Sequence, residues 1–463
     1  MSASEPRESS SVEVDGDTIA ARATPAGTGG IAIVRISGPL AAGIAERMTG
    51  SVPDARQATF CLFRDKDGQT IDQGIALYFP APHSFTGEDV LELHGHGGPV
   101  VVAGLVDAAV SLGARLAEPG EFSKRAFLND KLDLAQAEAI ADLVASGSTQ
   151  AARAALRSLS GAFSKAVDDV QEKLSALRTH VEAAIDFPEE EIDFLSDSAL
   201  SRRVDECAAA FRSLMAKTSA GRVLRDGYRA VIVGRPNAGK SSLLNCLSGQ
   251  EAAIVTEVAG TTRDILRERI NLDGLIVELV DTAGLRTEPD RIEAEGIRRA
   301  REALQAADAI LWIQDAGDPA SGNEPLDEEL PTGIPIVIVR NKIDLSGSQA
   351  GVVRHGLPTG SPTVALSART GAGIDALRTV LKELAGYHDL GEGAFTARQR
   401  HLDALEKSWR HFENGQSALE TARAGELFAE ELRLAQLALD GITGAHGSDD
   451  LLGRIFSEFC IGK

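Results

Sequence analysis

The sequence predicts a multidomain α/β protein: an α+β N-terminal domain comes first, then a helical domain into which a doubly wound, mostly parallel sheet is inserted. Three changes of texture predict it. Short apolar runs alternate with Gly/Pro punctuation from Thr18 to about Lys131; helical spacing runs from Leu132 to about Gly221 and resumes after Gly393; βα alternation fills Tyr228 to about Leu384. At 463 residues the chain has room for roughly three cores. The expected boundaries are a loose tail at 1–17, the α+β domain at 18–131, the helical domain at 132–222 and 389–463, and the inserted domain at 223–388.

Each element has a local reason. Met1 to Asp17 is Ser- and Glu-rich with no apolar core, which reads as a tail and not as a signal peptide. Ile31 to Ile36 and Ile75 to Phe79 read as strands of the first domain. Phe163, Val167, Val170, Leu174, Leu177, Val181 and Ile185 step by four and three, one face of a long amphipathic helix that stops at Asp186-Phe187-Pro188. The runs Ala230 to Val233, Ile276 to Val280, Ala309 to Ile313, Ile336 to Val339 and Thr363 to Leu366 look like buried parallel strands. Leu402, Leu405, Trp409 and Phe412 share one later helical face, and Phe428, Leu432, Ala435 and Leu439 another. Helices on both sides of the βα unit make insertion the economical arrangement, since inserted domains need only that their ends lie close together.

Composition removes several function classes. No apolar run approaches a membrane span, and the scattered Cys61, Cys207, Cys246 and Cys460 form no C-x-x-C pair, which argues against a disulfide framework and a zinc knuckle. A reducing cytoplasm is the expected location. Acids outnumber bases 68 to 47, a net charge of −21, so a broad basic surface for nucleic acid is not expected and any RNA contact must be local.

Gly234-Arg-Pro-Asn-Ala-Gly239-Lys240-Ser241 follows an apolar strand and opens a helix, the strand-loop-helix setting a phosphate cradle requires. Successive backbone N–H groups cradle the β-phosphate, Lys240 bridges β- and γ-phosphate oxygens, and the Ser241 hydroxyl is a hard ligand for Mg²⁺. Asn341-Lys342-Ile343-Asp344 follows a later strand, where the Asp344 carboxylate can accept from guanine N1–H and N2–H, donors adenine lacks. Ser367-Ala368-Arg369 follows the next strand, and the Ala368 N–H can donate to guanine O6. Asp281-Thr282-Ala283-Gly284 ends another strand, with Asp281 toward Mg²⁺ through water and the Gly284 N–H toward the γ-phosphate. Between these lies Gly260-Thr261-Thr262-Arg263-Asp264, in which Thr262 is expected to complete the Mg²⁺ shell. The register predicts a GTP hydrolase. Leu285 stands where many such enzymes carry a water-orienting Gln, so another group must act; Glu288, Glu293 and Glu295 are candidates, and Arg263 or Arg286 can supply charge.

These motifs, with P-G-E-F-S-K-R-A-F-L-N-D-K from Pro119, I-V-T-E-V-A-G-T-T-R-D from Ile254, I-D-F-P-E-E-E-I-D-F from Ile185 and the terminal F-C-I-G-K from Phe459, resemble the tRNA-modification GTPase family called MnmE or TrmE. The resemblance covers nearly the whole chain after the tail. It implies a folate-binding, dimerising N-terminal domain, a helical domain and an inserted P-loop G domain. The family acts with an FAD-dependent partner, GidA (MnmG), to build an aminomethyl-type or carboxymethylaminomethyl group on C5 of the wobble uridine of certain tRNAs, the one-carbon unit coming from 5-formyl- or methylene-tetrahydrofolate.

Carried over by motif, Arg35, Glu92, Lys131 and Lys463 would contact the folate, with Cys460 nearby. Asn237 with Thr256, Val258 and Thr261 would hold K⁺, and Glu293 would orient the attacking water. The nucleotide would touch Asn237, Ala238, Gly239, Lys240, Ser241, Ser242, Thr256, Glu257, Val258, Ala259, Gly260, Thr261, Thr262, Asp281, Thr282, Ala283, Gly284, Asn341, Lys342, Asp344, Ser367, Ala368 and Arg369. The family implies a homodimer with transient pairing of G domains and no membrane. Two alternatives come from other classes: a ribosome-assembly switch without modification chemistry, for which no basic G-x-x-G segment stands out, and a membrane-remodelling GTPase, for which neither a basic amphipathic helix nor a lipid anchor is present. His94 and His96 invite a metal reading, but a Gly-rich turn with no third ligand weakens it.

Overall fold

The computed structural model describes residues 16–186, 198–250, 267–281, 298, 301–318, 331, 333–353, 361–387, 394–422, 424–444, 449–457, 459, 461 and 462. The chain divides into two compact units, Met1–Ala141 with Leu437–Lys463, and Asp142–Gln436.

In the first unit, β1 (Ile19–Arg22), β2 (Gly29–Ser37), β3 (Thr59–Arg64), β4 (Thr70–Phe79), β5 (Val90–Gly97) and β6 (Arg115–Leu116) form one sheet in the order β3-β4-β5-β2-β1-β6. Only the β1–β6 pairing is parallel. Successive strand residues face opposite ways. Val34, Ile36, Leu91 and Leu93 therefore share one face, where they pack in a common core with Ile44 and Met48 of α1 (Ala41–Thr49) and Leu105 of α2 (Pro99–Ser111). Arg35 and Glu92 take the opposite face as direct cross-strand partners.

After β6 come α3 (Glu121–Leu128) and α4 (Leu134–Ala145), of which α3, α4 as far as Ala141 and the C-terminal α13 (Asp449–Ser457) belong to this unit. Leu134, Ala137, Leu452, Ile455, Phe456 and Phe459 form a shared core. A Cβ on Gly120 would lie 2.5 Å from the Phe456 carbonyl oxygen, so only glycine permits this approach. The helical domain read from sequence thus gives its last turns to the core of the first unit, because their apolar stripe is complementary to α4. The end of the tail also has partners. Asp17 pairs with Arg115 and with Arg125 (2.5 Å), and Arg125, 3% exposed, also meets Glu88 and Glu121 at 3.1 Å. Asp17 is part of the folded domain because a buried guanidinium needs its carboxylates.

The second unit carries α5 (Thr149–Leu159), α6 (Ala162–Asp186), α7 (Ser198–Asp226), α11 (Gln399–Ala422) and most of α12 (Gly425–Thr443). The spacing expected from Phe163 onward is realised in α6: Phe163, Val167, Val170, Leu174, Leu177 and Val181 are each at most 1% exposed. Burying each such side chain is worth roughly 1.5–3 kcal/mol against leaving it in water. Phe211 of α7 meets Trp409 and Phe412 of α11 at ring distances of 5.6 and 5.5 Å.

After α7 the chain enters β7 (Tyr228–Gly234), α8 (Lys240–Gln250), β8 (Arg267–Leu272), β9 (Leu275–Asp281), β10 (Ala309–Asp315), β11 (Ile336–Asn341), α9 (Ile343–Ser346), β12 (Gly351–Val353), β13 (Thr363–Ala365) and α10 (Ile374–Leu384). The sheet order is β12-β13-β11-β10-β7-β9-β8. The five strands expected from apolar runs form its parallel centre; the two edge strands, β8 and β12, are antiparallel. The chain returns at residues 394–398, where a Cβ on Gly221 of α7 would lie 2.4 Å from the Phe395 carbonyl oxygen. Entry and exit of the sheet domain are therefore neighbours.

Candidate functional site

The parallel strands bring the sequence motifs to one edge. Gly234 ends β7, Asn341 ends β11, Ser367 follows β13, and Asp281 ends β9 in register with Ile232 of β7. Ligands bind outside the carboxyl ends of such strands. Gly234 is obligatory, because its φ is 151° and a Cβ would lie 2.5 Å from the Ile313 carbonyl oxygen of β10. Asn237 takes a left-handed φ of 63°, which asparagine tolerates better than most residues, and Gly239 follows at 95°. Together they curl the loop into a concave run of N–H groups. Lys240 is 7% exposed and its ammonium donates to the carbonyl oxygens of Gly234 at 2.7 Å and Arg235 at 2.8 Å. Ser241 and Ser242 lie exposed on the first turn of α8, and Ala238 is buried beneath the loop.

Asn341 ties the loops together. Its amide nitrogen donates to the Ala238 carbonyl oxygen at 3.0 Å, and its amide oxygen accepts from the Lys342 and Ala368 N–H groups at 2.8 and 3.0 Å. Three motifs distant in sequence thus meet on one side chain, 2% exposed. Asp344 accepts from the Ser367 hydroxyl at 2.6 Å and the Arg369 guanidinium at 2.5 Å, one on each oxygen. The Ser367 hydrogen bond first, and Arg369 after it, hold the Asp344 carboxyl below its ordinary value. It stays ionised, with a lone pair on each oxygen for a further donor. Lys342, at a left-handed φ of 66°, pairs with Asp315 at 2.7 Å, and that hydrogen bond lowers the Asp315 carboxyl in turn. Asp315 is absent from the sequence-derived set; an acid at the end of a βα strand next to the base-reading strand was its only signal.

Thr256, Glu257, Val258, Ala259, Gly260, Thr261, Thr262, Thr282, Ala283, Gly284, Glu293, Cys460 and Lys463 lie outside the described residues, as do the side chain of Asp281 and the alternatives Arg263, Arg286, Glu288 and Glu295.

A second polar group sits on the first unit's sheet. Arg35 Nε donates to Glu92 Oε1 at 2.8 Å, and the guanidinium lies between the rings of Phe85 and Phe122, 5.5 and 5.6 Å from their centroids. Each ring contact is worth about 0.5–1 kcal/mol or more when partly desolvated. Glu92 Oε2 faces His94 Nε2 at 3.3 Å. Lys131 does not join this pair directly: it donates to the Pro82 carbonyl oxygen at 3.0 Å and leans on Gly87, in the β4–β5 connection that also carries Phe85. His94 and His96 lie on β5, not in a turn, and serve different carboxylates, His96 meeting Asp72 at 2.7 Å. Among the described residues no three His, Cys, Asp or Glu side chains group to hold a metal. Nor is any described helix long and apolar enough to cross a membrane.

Comparison with known proteins gives these sites a context. Residues 18–131 match the family described as GTP-binding protein TrmE N-terminus, and residues 134–460 match the MnmE helical domain. The tRNA modification GTPase MnmE of Pseudomonas syringae pv. tomato is 54% identical over 458 residues, 98% of this chain and 100% of that one. The protein of the same name from Sodalis glossinidius is 54% identical over 453 residues, 96% of this chain and 99% of that one. Among solved structures, the G domain of the T. maritima FeoB iron transporter is 26% identical, covering 34% of this chain and 98% of that chain with a TM-score of 0.27. With two family matches spanning the folded chain and relatives of this identity along their whole length, the chain belongs to the MnmE family of tRNA modification GTPases and is a GTP hydrolase.

Proposed function

We propose that the chain hydrolyses GTP in a G domain at residues 223–388, inserted in a helical domain, and uses that hydrolysis to drive C5 modification of the wobble uridine of certain tRNAs. A GidA (MnmG)-like FAD-dependent protein is the partner, tRNA the substrate, and the cytoplasm the place. The observation that supports this is full-length identity of 54% to tRNA modification GTPases, together with a base-reading loop wired to the phosphate loop through Asn341.

In this reading Asp344 selects guanine through a further acceptor site on each oxygen, while the Ala368 N–H, expected from the sequence to reach guanine O6, is held by Asn341 Oδ1 in this structure. The residue types fit Mg²⁺: Ser241 lies in the first turn of α8 and Asp281 ends the neighbouring parallel strand, and both are residues with the hard oxygens such an ion takes. Thr262 completes the shell. For K⁺, Asn237, at a left-handed φ of 63° in the phosphate loop, would supply one oxygen, and Thr256, Val258 and Thr261 the others. A monovalent cation there provides charge during hydrolysis when two G domains pair, with Glu293 orienting water in place of the Gln that Leu285 replaces.

The face carrying Arg35 and Glu92 fits a folate: a guanidinium and a carboxylate side by side match the donors and acceptors of a 2-amino-4-oxo pteridine edge. Lys131 and Lys463 would contact the folate, with Cys460 nearby, and a bound tetrahydrofolate would supply the one-carbon unit. Homodimerisation runs through the N-terminal domain. The test is mass spectrometry of tRNA nucleosides from a strain lacking the chain. Loss of the C5 group, restored by the wild-type sequence, is the expected result; an unchanged nucleoside profile, with no redundant enzyme, overturns the proposal.

A further inference from the structure

We infer that His94 is a positioning residue that holds the Glu92 carboxylate at the angle in which it meets a bound pteridine ring. This rests on the folate reading above. His94 and Glu92 are two residues apart on β5 and so project from the same face, and Arg35 is the direct cross-strand partner of Glu92 on β2. The terminal torsion of a glutamate is soft and roughly two-fold, so one hydrogen bond leaves the carboxylate plane free to swing. Here both oxygens are anchored, Oε1 by Arg35 Nε at 2.8 Å and Oε2 by His94 Nε2 at 3.3 Å. The Arg35 guanidinium in turn packs over the rings of Phe85 and Phe122. Arg35 and His94 together therefore hold both carboxylate oxygens, and His94 is the contact that fixes the plane.

Facing a carboxylate oxygen, which accepts, His94 Nε2 is the nitrogen placed to donate. Each Glu92 oxygen keeps a lone pair for the N–H and amino donors of the ring. The trio is partly open, with side-chain exposures of 22%, 14% and 24% for Arg35, Glu92 and His94, and lies on the face opposite the α1–α2 core. A histidine packed only to fill that core would sit on the other face.

The experiment measures binding of 5-formyltetrahydrofolate by isothermal titration to the purified full chain, with GTP turnover and melting temperature recorded alongside. His94→Leu removes the donor and is expected to weaken binding about tenfold, what one hydrogen bond to a charged group is worth. His94→Gln carries an amide N–H at the position of Nε2 and should stay within about twofold of wild type. His94→Asn, whose amide falls short of Glu92, should behave like Leu, and the Gln/Asn contrast remains decisive if the Leu variant fails to fold. GTP turnover should be unchanged in all three. Equal loss in Gln and Asn, or wild-type affinity in Asn, overturns the role of His94 while Arg35→Ala still abolishes binding. Retained affinity in both Arg35→Ala and Glu92→Ala would instead remove the folate reading itself.

Discussion

At the scale of single residues, Gly239 and Asn341 define the nucleotide site as a lock of two parts. A Cβ on Gly239 would lie 2.2 Å from Asn341 Nδ2, inside any real contact, and the φ of 95° is strained for other residues. Asn341 in turn satisfies the Ala238 carbonyl and the Lys342 and Ala368 N–H groups. Asn341→Ala leaves those groups unpaired in a buried place and should cost about 2–4 kcal/mol in the affinity for a fluorescent guanine nucleotide. Gly239→Ala should lose at least as much, because displacing Asn341 breaks the same three bonds and strains the loop. Wild-type affinity in either variant would show that the loops hold their shape without this side chain. The motif made Asn341 legible in the sequence as a nucleotide-site residue. Its role as the tie between three loops was not legible, because it depends on parallel strands placing Ala238 and Ala368 on either side of it.

Among elements, periodicity and burial agree where the environment is one-sided or wholly buried. The α6 stripe and the five central strands were readable because their apolar pattern is long and uninterrupted. Strand β8, Arg-Glu-Arg-Ile-Asn-Leu, was not, because as an edge strand it keeps charges on its rim and offers few apolar positions. The Arg125 network was equally hidden: nothing in the spacing of P-G-E-F-S-K-R marks its charges as buried, yet Glu121 and Arg125 are only 8% and 3% exposed. Burial pushes the Glu121 carboxyl up, but hydrogen bonds from Arg115, the Glu118 N–H and Arg125 outweigh it and leave the value below the ordinary 4.5. A depressed carboxyl contributes stability above its unfolded value and loses it as pH falls through the folded value. The contribution of Glu121 is therefore complete at neutral pH and fades below about pH 4.5. Glu121→Gln should lower stability by about 2 kcal/mol at pH 7 and show a shallower acid limb. Urea titrations at pH 7 and pH 4 compare the two; a constant difference between variant and wild type would show that Glu121 does not act through its charge.

For the whole molecule, the question is whether two chemistries on separate parts of the chain serve one product. The nucleotide edge lies within Asp142–Gln436 and the Arg35–Glu92 face within the other compact unit. If hydrolysis and one-carbon transfer were independent, a variant defective in one would keep the other's output. The proposed function requires an asymmetric result instead. Arg35→Ala and Glu92→Ala should retain GTP turnover within about twofold yet lose the wobble-uridine group, since the folate site lies downstream of the switch. Glu293→Ala should keep GTP affinity, lose turnover by about two orders of magnitude or more, and lose the modification as well, the pattern of a group acting in the transition state and not in binding. Nucleotide affinity, turnover and tRNA nucleoside content, measured on the same variants, separate the possibilities. Retention of the modified nucleoside in Glu293→Ala cells would uncouple hydrolysis from the chemistry, and parallel loss of GTP affinity would remove Glu293 from its assigned role.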